Sequence, residues 1–140
     1  MTPAPTGPPS YDEVDPFDRP EWLGECTVTW AAERSLASGD RIPGALSADG
    51  HDPLPCDLLG VDDAYPQPVA TDPVRVRAHQ LWQYGEVLVI RDAERVVLAV
   101  PGSRLDAETA LEAVGRLAKA VGAMPGRYGV RLRVGADQRR

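Results

Sequence analysis

Residues 86–90 and 95–100, EVLVI and RVVLAV, are two apolar runs joined through the polar segment RDAER, whose last residue opens the second run. Both are rich in β-branched side chains and apolar at successive positions, so as strands they carry hydrophobic residues on both faces. The polar connection makes the pair a hairpin. Such a hairpin cannot lie at the surface; it belongs at the centre of a sheet, and other elements must cover it. Val87, Val89 and Val97 are expected on one side, with Leu88, Ile90, Val96, Leu98 and Val100 completing both.

The elements around the hairpin follow from local pattern. From Glu25 the period is two, with Cys26, Val28, Trp30 and Ala32 alternating with more polar positions, which predicts a strand with one wet side. RIPGALS after the turn ASGD predicts a second strand, which Pro43 restricts to an edge or irregular position. LPCDLLGV predicts a third, with Leu54, Cys56 and Leu58 on one face and Asp57 on the other beside Leu59. A helix is expected over about 73–84, opened by Thr71 or Asp72 before Pro73 and stopped at Gly85. Its buried stripe is Val74, Ala78, Leu81 and Trp82. A second helix, capped by Ser103 or Asp106, buries Ala110, Leu111, Val114 and Leu117 and stops at Gly122. RYGVRLRV predicts a last strand.

The fold class is therefore α+β: a mainly antiparallel sheet of five or six strands in the order βββ-α-ββ-α-β, with two helices packed on one face and an N-terminal strap. Residues 1–10 form a Pro/Gly-rich tail expected to be disordered. Residues 11–134 form one domain, including the acidic strap 11–24, and 135–140 are a flexible tail. Phe17, Trp22 and Leu23 of the strap are apolar anchors set among acids. They and the hairpin residues Val87, Val89 and Val97 are the candidate interaction surface. Two helices cover only one face of such a sheet, so the strap or a second copy is expected to cover the other.

Charge and composition exclude several function classes. Through residue 63 the chain has 13 acidic and 3 basic side chains, and afterwards 8 acidic and 12 basic. The basic end lacks interleaved aromatics and the whole chain carries a charge of -6, so nucleic acid is excluded as a partner. No apolar run approaches the roughly 20 residues of a membrane span, and MTPAPTGPPS is unlike a signal peptide, so the expected location is the cytoplasm. Cys26 and Cys56 lack zinc spacing and are expected to be reduced and buried.

Catalytic motifs are missing. Ser35, Ser38 and Ser103 lack the GxSxG context, neither a GxGxxG nor a P-loop is found, and the turn carrying Asp49, His51 and Asp52 has no EF-hand or HExxH spacing. No catalytic residue, metal or cofactor is expected. His79 lies on the helix flank with Arg75 and Gln83, beside the buried stripe. Asp57, Asp62 and Asp63 are the carboxylates that could partner it if the third strand passes beside the helix, which makes a polar site near Asp57 and His79 the alternative.

The phrases VDPFDRPEWLG, CDLLGVDDAYPQPV, RAHQLWQYG and LDAETALEAVGRLAKAVGA resemble an actinobacterial family of hypothetical proteins over residues 11–134. The order of elements is similar to the type III secretion chaperone-like fold. That resemblance implies a dimeric binding module. The expected function is a non-catalytic protein-binding, chaperone-like or regulatory module, a homodimer that also binds another protein. The alternative is a small enzyme or ligand-binding domain.

Overall fold

The computed structural model describes residues 11–15, 22–35, 41–64, 67–103, 105–124 and 127–133. The expected tails, Phe17, and the side chains of Leu23 and Asp63 lie outside the described residues. The architecture is α+β. The elements are β1 (Asp12–Glu13), the single turn α1 (Trp22–Glu25), β2 (Val28–Ser35), β3 (Arg41–Ile42), β4 (Gly44–Ser47) and β5 (Leu54–Gly60). There follow β6 (Asp63–Ala64), β7 (Gln67–Pro68), α2 (Asp72–Gln83), β8 (Leu88–Asp92), β9 (Arg95–Val100), α3 (Ala107–Ala120) and β10 (Tyr128–Arg133).

Among the described residues the main sheet has eight strands, in the order β1-β8-β9-β5-β4-β2-β10 with β3 also against β5. It is mixed, which corrects the expected antiparallel arrangement: β5 runs parallel to β9, and β2 parallel to β10. A parallel neighbour requires a crossover connection, and the helical segments supply it. The chain leaves β5 through α2, makes β8, and returns as β9 beside β5; α3 then carries it across to the outer side of β2.

The middle strand is interrupted rather than displaced. Arg41 faces Leu59 and Ile42 faces Leu58, while Ala45 faces Pro55 and Leu46 faces Leu54, so the register against β5 does not slip between β3 and β4. Pro43 has no N–H for the ladder. Beside it the N–H of Gly44 donates to the Asp57 carboxylate at 3.3 Å. Trp30, 1% exposed, donates its indole N–H to the Cys56 carbonyl at 2.7 Å. A Cβ on Gly44 would stand 2.6 Å from the Trp30 ring, so glycine is what lets the strand pass the indole.

The two helices lie on opposite faces, not on one. Leu58 and Leu98 belong to the cluster under α3 with Trp30, Val89, Val114 and Leu117. Their chain neighbours Leu59 and Val97 belong to the cluster under α2 with Val74, Ala78 and Ile90. Successive residues of a strand point to opposite faces, so the clusters occupy the two sides of one sheet. Val97 is therefore on the face opposite Val87 and Val89. The cause is the turn: Asp92 faces Arg95, leaving a two-residue connection that sets Val89 opposite Leu98 and Ile90 opposite Val97.

All three valines are at most 8% exposed, so the hairpin presents no broad apolar face to solvent. Among the described residues, the α2 face is open over β2 and β4. There the outward positions are Thr29, Ala31, Ala45 and Ser47, small side chains that need no cover. The strap packs on the domain through Val14, whose N–H donates to the Val89 carbonyl at 2.8 Å, and through Trp22 against the α3-side cluster.

Candidate functional site

Two arrangements of polar groups, the first bordering a cleft, and a second cleft are built on this frame. The first lies at the carboxyl ends of the parallel pair β5 and β9, the end of a parallel sheet where ligands generally bind. Gly60 pairs with Val100, and a Cβ on Gly60 would collide with the Gly102 carbonyl, so the two strand ends close tightly together. Asp62 follows β5. One carboxylate oxygen accepts the Gly102 N–H at 2.7 Å, and the other meets His79 Nε2 at 2.7 Å.

When the carboxylate is ionised it can only accept, so Nε2 is then the donor of this contact and Nδ1 is the ring's other polar site. The pair borders a cleft of about 610 Å³ lined by Asp62, Arg75, Val76, His79, Gln80 and Gln83. His79 is 53% exposed and Asp62 41%, so the contact latches α2 to the loop after β9 without excluding water. Activating a nucleophile requires one within reach. The cleft lining among the described residues holds no hydroxyl or thiol.

Asp57 is not part of that site. It lies five residues earlier along the strand, on the order of 15 Å away, and is 2% exposed. Arg95 holds it from one side, with Nε at 3.0 Å and a terminal nitrogen at 2.6 Å from Oδ1. Arg41 holds the other oxygen, with Nε at 3.0 Å and a terminal nitrogen at 2.8 Å. Asp92 binds the far side of Arg41 at 2.7 Å, and Glu33 lies 3.5 Å from Arg95. Burial pushes the Asp57 carboxyl up, but the hydrogen bonds from Arg95 and then Arg41 outweigh it and hold the group below its ordinary range.

This network ties β2, β3, β5, β8 and β9 together beneath the Pro43 break, and sequence reasoning missed it. One signal was present: a single acid inside the apolar strand LPCDLLGV requires cations, and two arginines open neighbouring strands.

The second cleft lies where β1, the start of β8 and the C-terminal parts of α2 and α3 meet. It encloses about 350 Å³, and its lining includes Val14, Leu81, Val87 and Val89. Glu13, Arg77, Tyr84, Arg116 and Lys119 line it as well. Arg77 reaches Glu13 at 3.3 Å. Arg116 lies 3.4 Å over the Trp82 ring and donates to the carbonyls of Trp82 at 2.8 Å and Glu86 at 3.1 Å. Lys119 has no ion-pair partner among the described residues, and Tyr84 is 78% exposed. Of the expected interaction residues, Val87 and Val89 thus become part of this cleft, Val97 lies on the other face, and Trp22 packs elsewhere.

No group of three or more His, Cys, Asp or Glu placed to hold a metal ion is found among the described residues. No helix among them is long and apolar enough to cross a membrane. No family model, curated protein or solved structure matches the chain.

Proposed function

We propose that the chain is a non-catalytic binding module and that the cleft between α2, α3 and the β1–β8 edge receives an extended acidic segment of a partner protein. The observation that carries this reading is the exposed rim of the cleft: the ring of Tyr84, 78% exposed, beside half-buried Leu81, and Lys119, which has no ion-pair partner among the described residues, over a floor of nearly buried Val14, Val87 and Val89, with Arg77 at the margin already paired to Glu13. Apolar walls with a few placed charges are what a recognition groove needs.

The chain's own strap supports the choice of occupant. At the adjoining edge, Asp12 and Glu13 pair with Arg91 and Ile90, an acidic extended segment added to a sheet edge. The module acts in the cytoplasm, where thiols such as Cys26 and Cys56 are kept reduced. Self-association has lost its apolar face as a reason; the acidic strap of a second copy is the form of it that fits the same cleft.

The probe is a fluorescein-labelled peptide of residues 11–17, titrated against the full chain and read by anisotropy. Saturable binding that weakens at least ten-fold in Lys119→Glu, and that falls with added salt, is the expected result. Lack of saturation at millimolar protein, or affinity unchanged in Lys119→Glu, overturns the reading. Sedimentation at the same concentrations separates self-association from a separate partner.

The 2.7 Å contact between His79 and Asp62 in an open cleft favours a second reading, a small-ligand or catalytic site. Function lost in His79→Ala with folding intact, while Lys119→Glu stays active, would move the assignment there.

A further inference from the structure

The sulfur of Cys26 is held against an oriented imidazole. Just after α1 the N–H of Cys26 donates to the Trp22 carbonyl at 2.9 Å, closing the helical turn and placing the two side chains on the same side of it. His51 arrives from the turn after β4, where Gly50 has a φ of 82° and the His51 N–H donates to the Ala48 carbonyl at 3.2 Å. Its ring stacks on Trp22, with centroids 5.0 Å apart and planes at 17°. The indole covers a face of the imidazole, and an edge, Nε2, meets the Cys26 sulfur at 3.9 Å.

The turn itself is fixed from outside. Arg127 donates to the Glu25 carbonyl at 2.7 Å, and a Cβ on Gly24 would stand 2.7 Å from the Val121 carbonyl, so α1 sits directly on the end of α3. The sequence led us to expect both cysteines to be buried; Cys56 is 0% exposed in the core, whereas Cys26 is half-buried at the surface. An ordinary surface thiol needs neither the stacked ring nor the anchored turn.

We propose that Cys26 is a modification site that forms mixed disulfides with low-molecular-weight disulfides, with His51 as the proton acceptor that makes the thiol nucleophilic. The thiolate is the attacking species in such exchange. The Cys26 proton passes to His51 Nε2, and the sulfur attacks one sulfur of the small disulfide. A new bond joins Cys26 to that sulfur as the old sulfur–sulfur bond breaks. The departing thiolate takes the proton from His51 and leaves as a thiol, so protons and electrons balance without a further oxidant. Trp22 acts as a positioning residue, holding the ring edge-on to the sulfur.

The test uses the full chain, oxidised glutathione as the reagent, and peptide mapping by mass spectrometry over time. In the folded protein the adduct should form on Cys26 and not on Cys56. His51→Gln, a substitution at an exposed turn, should slow it by roughly ten-fold, the low side of what a positioned base supplies. In denaturing urea both cysteines should react, and wild type and His51→Gln should become equal. That equality separates an oriented base from a general effect of the substitution. A Cys26 that stays unmodified, or that reacts equally fast in folded wild type and folded His51→Gln, overturns the proposal.

Discussion

Asp57→Asn keeps the size of the side chain and removes its charge, so it isolates what the carboxylate does beneath the Pro43 break. The native group is 2% exposed and receives hydrogen bonds from Arg95, Arg41 and the Gly44 N–H. An amide presents one acceptor oxygen to donors that occupied two, and turns its own N–H group toward an arginine. Breaking a buried ion pair costs about 3–5 kcal/mol. Here the side chains of Arg41 and Arg95 are 28% and 34% exposed and regain water when released, which places the loss at the lower end, about 3 kcal/mol.

The assay is urea unfolding. The midpoint should fall with the slope unchanged, because the surface exposed on unfolding is the same. The pH dependence has a definite sign. The Asp57 carboxyl is held below its ordinary range, so its contribution is complete above about pH 4, the unfolded value, and is lost as pH falls through the lower native value. Wild type should therefore lose stability more steeply than Asp57→Asn as the pH drops below about 4. A loss under about 1 kcal/mol would refute the reasoning, since that is the worth of an exposed ion pair.

Two further predictions rest on the backbone. Gly44→Ala places a methyl group 2.6 Å from the Trp30 ring and 2.8 Å from the Ala31 carbonyl, so it should destabilise by about 2 kcal/mol and shift Trp30 fluorescence; an unchanged melting temperature would show that the strand passes the indole with room to spare. Ala93 has a φ of 57° at the first position of the two-residue hairpin turn, a conformation that suits glycine. Ala93→Gly should stabilise by about 0.5–1 kcal/mol in thermal unfolding, and a loss of stability would contradict the turn geometry.

What could be read from the sequence was whatever is settled by near neighbours in the chain. The helix expected over 73–84 is Asp72–Gln83, because Pro73 suits a first turn and the apolar spacing continues to Trp82. Of the two caps expected for α3, Ser103 and Asp106, it is Asp106 that caps it, its side chain accepting the Thr109 N–H at 2.8 Å. The apolar strands fell where expected because alternation and turn residues are local signals.

Which strands are neighbours is a different matter. The parallel pairs, the helices on opposite faces and the place of Val97 depend on how crossovers run and on a two-residue turn that a polar stretch of five residues does not reveal. The polar contacts are decided at the same level. Asp57 meets arginines 16 and 38 residues away, and Asp62 meets His79 at a separation of 17, because strand pairing and α2 bring them together. Sequence alone placed the helices and their stops, since these depend on dihedral preference and side-chain spacing, but not every cap or buried side: Thr71 makes no side-chain cap, Leu111 is 51% exposed rather than buried, and Leu81 and Trp82 pack against different clusters. Only the folded sheet could decide which charge faces which, because that contact energy exists only after distant strands have been brought to adjacent positions.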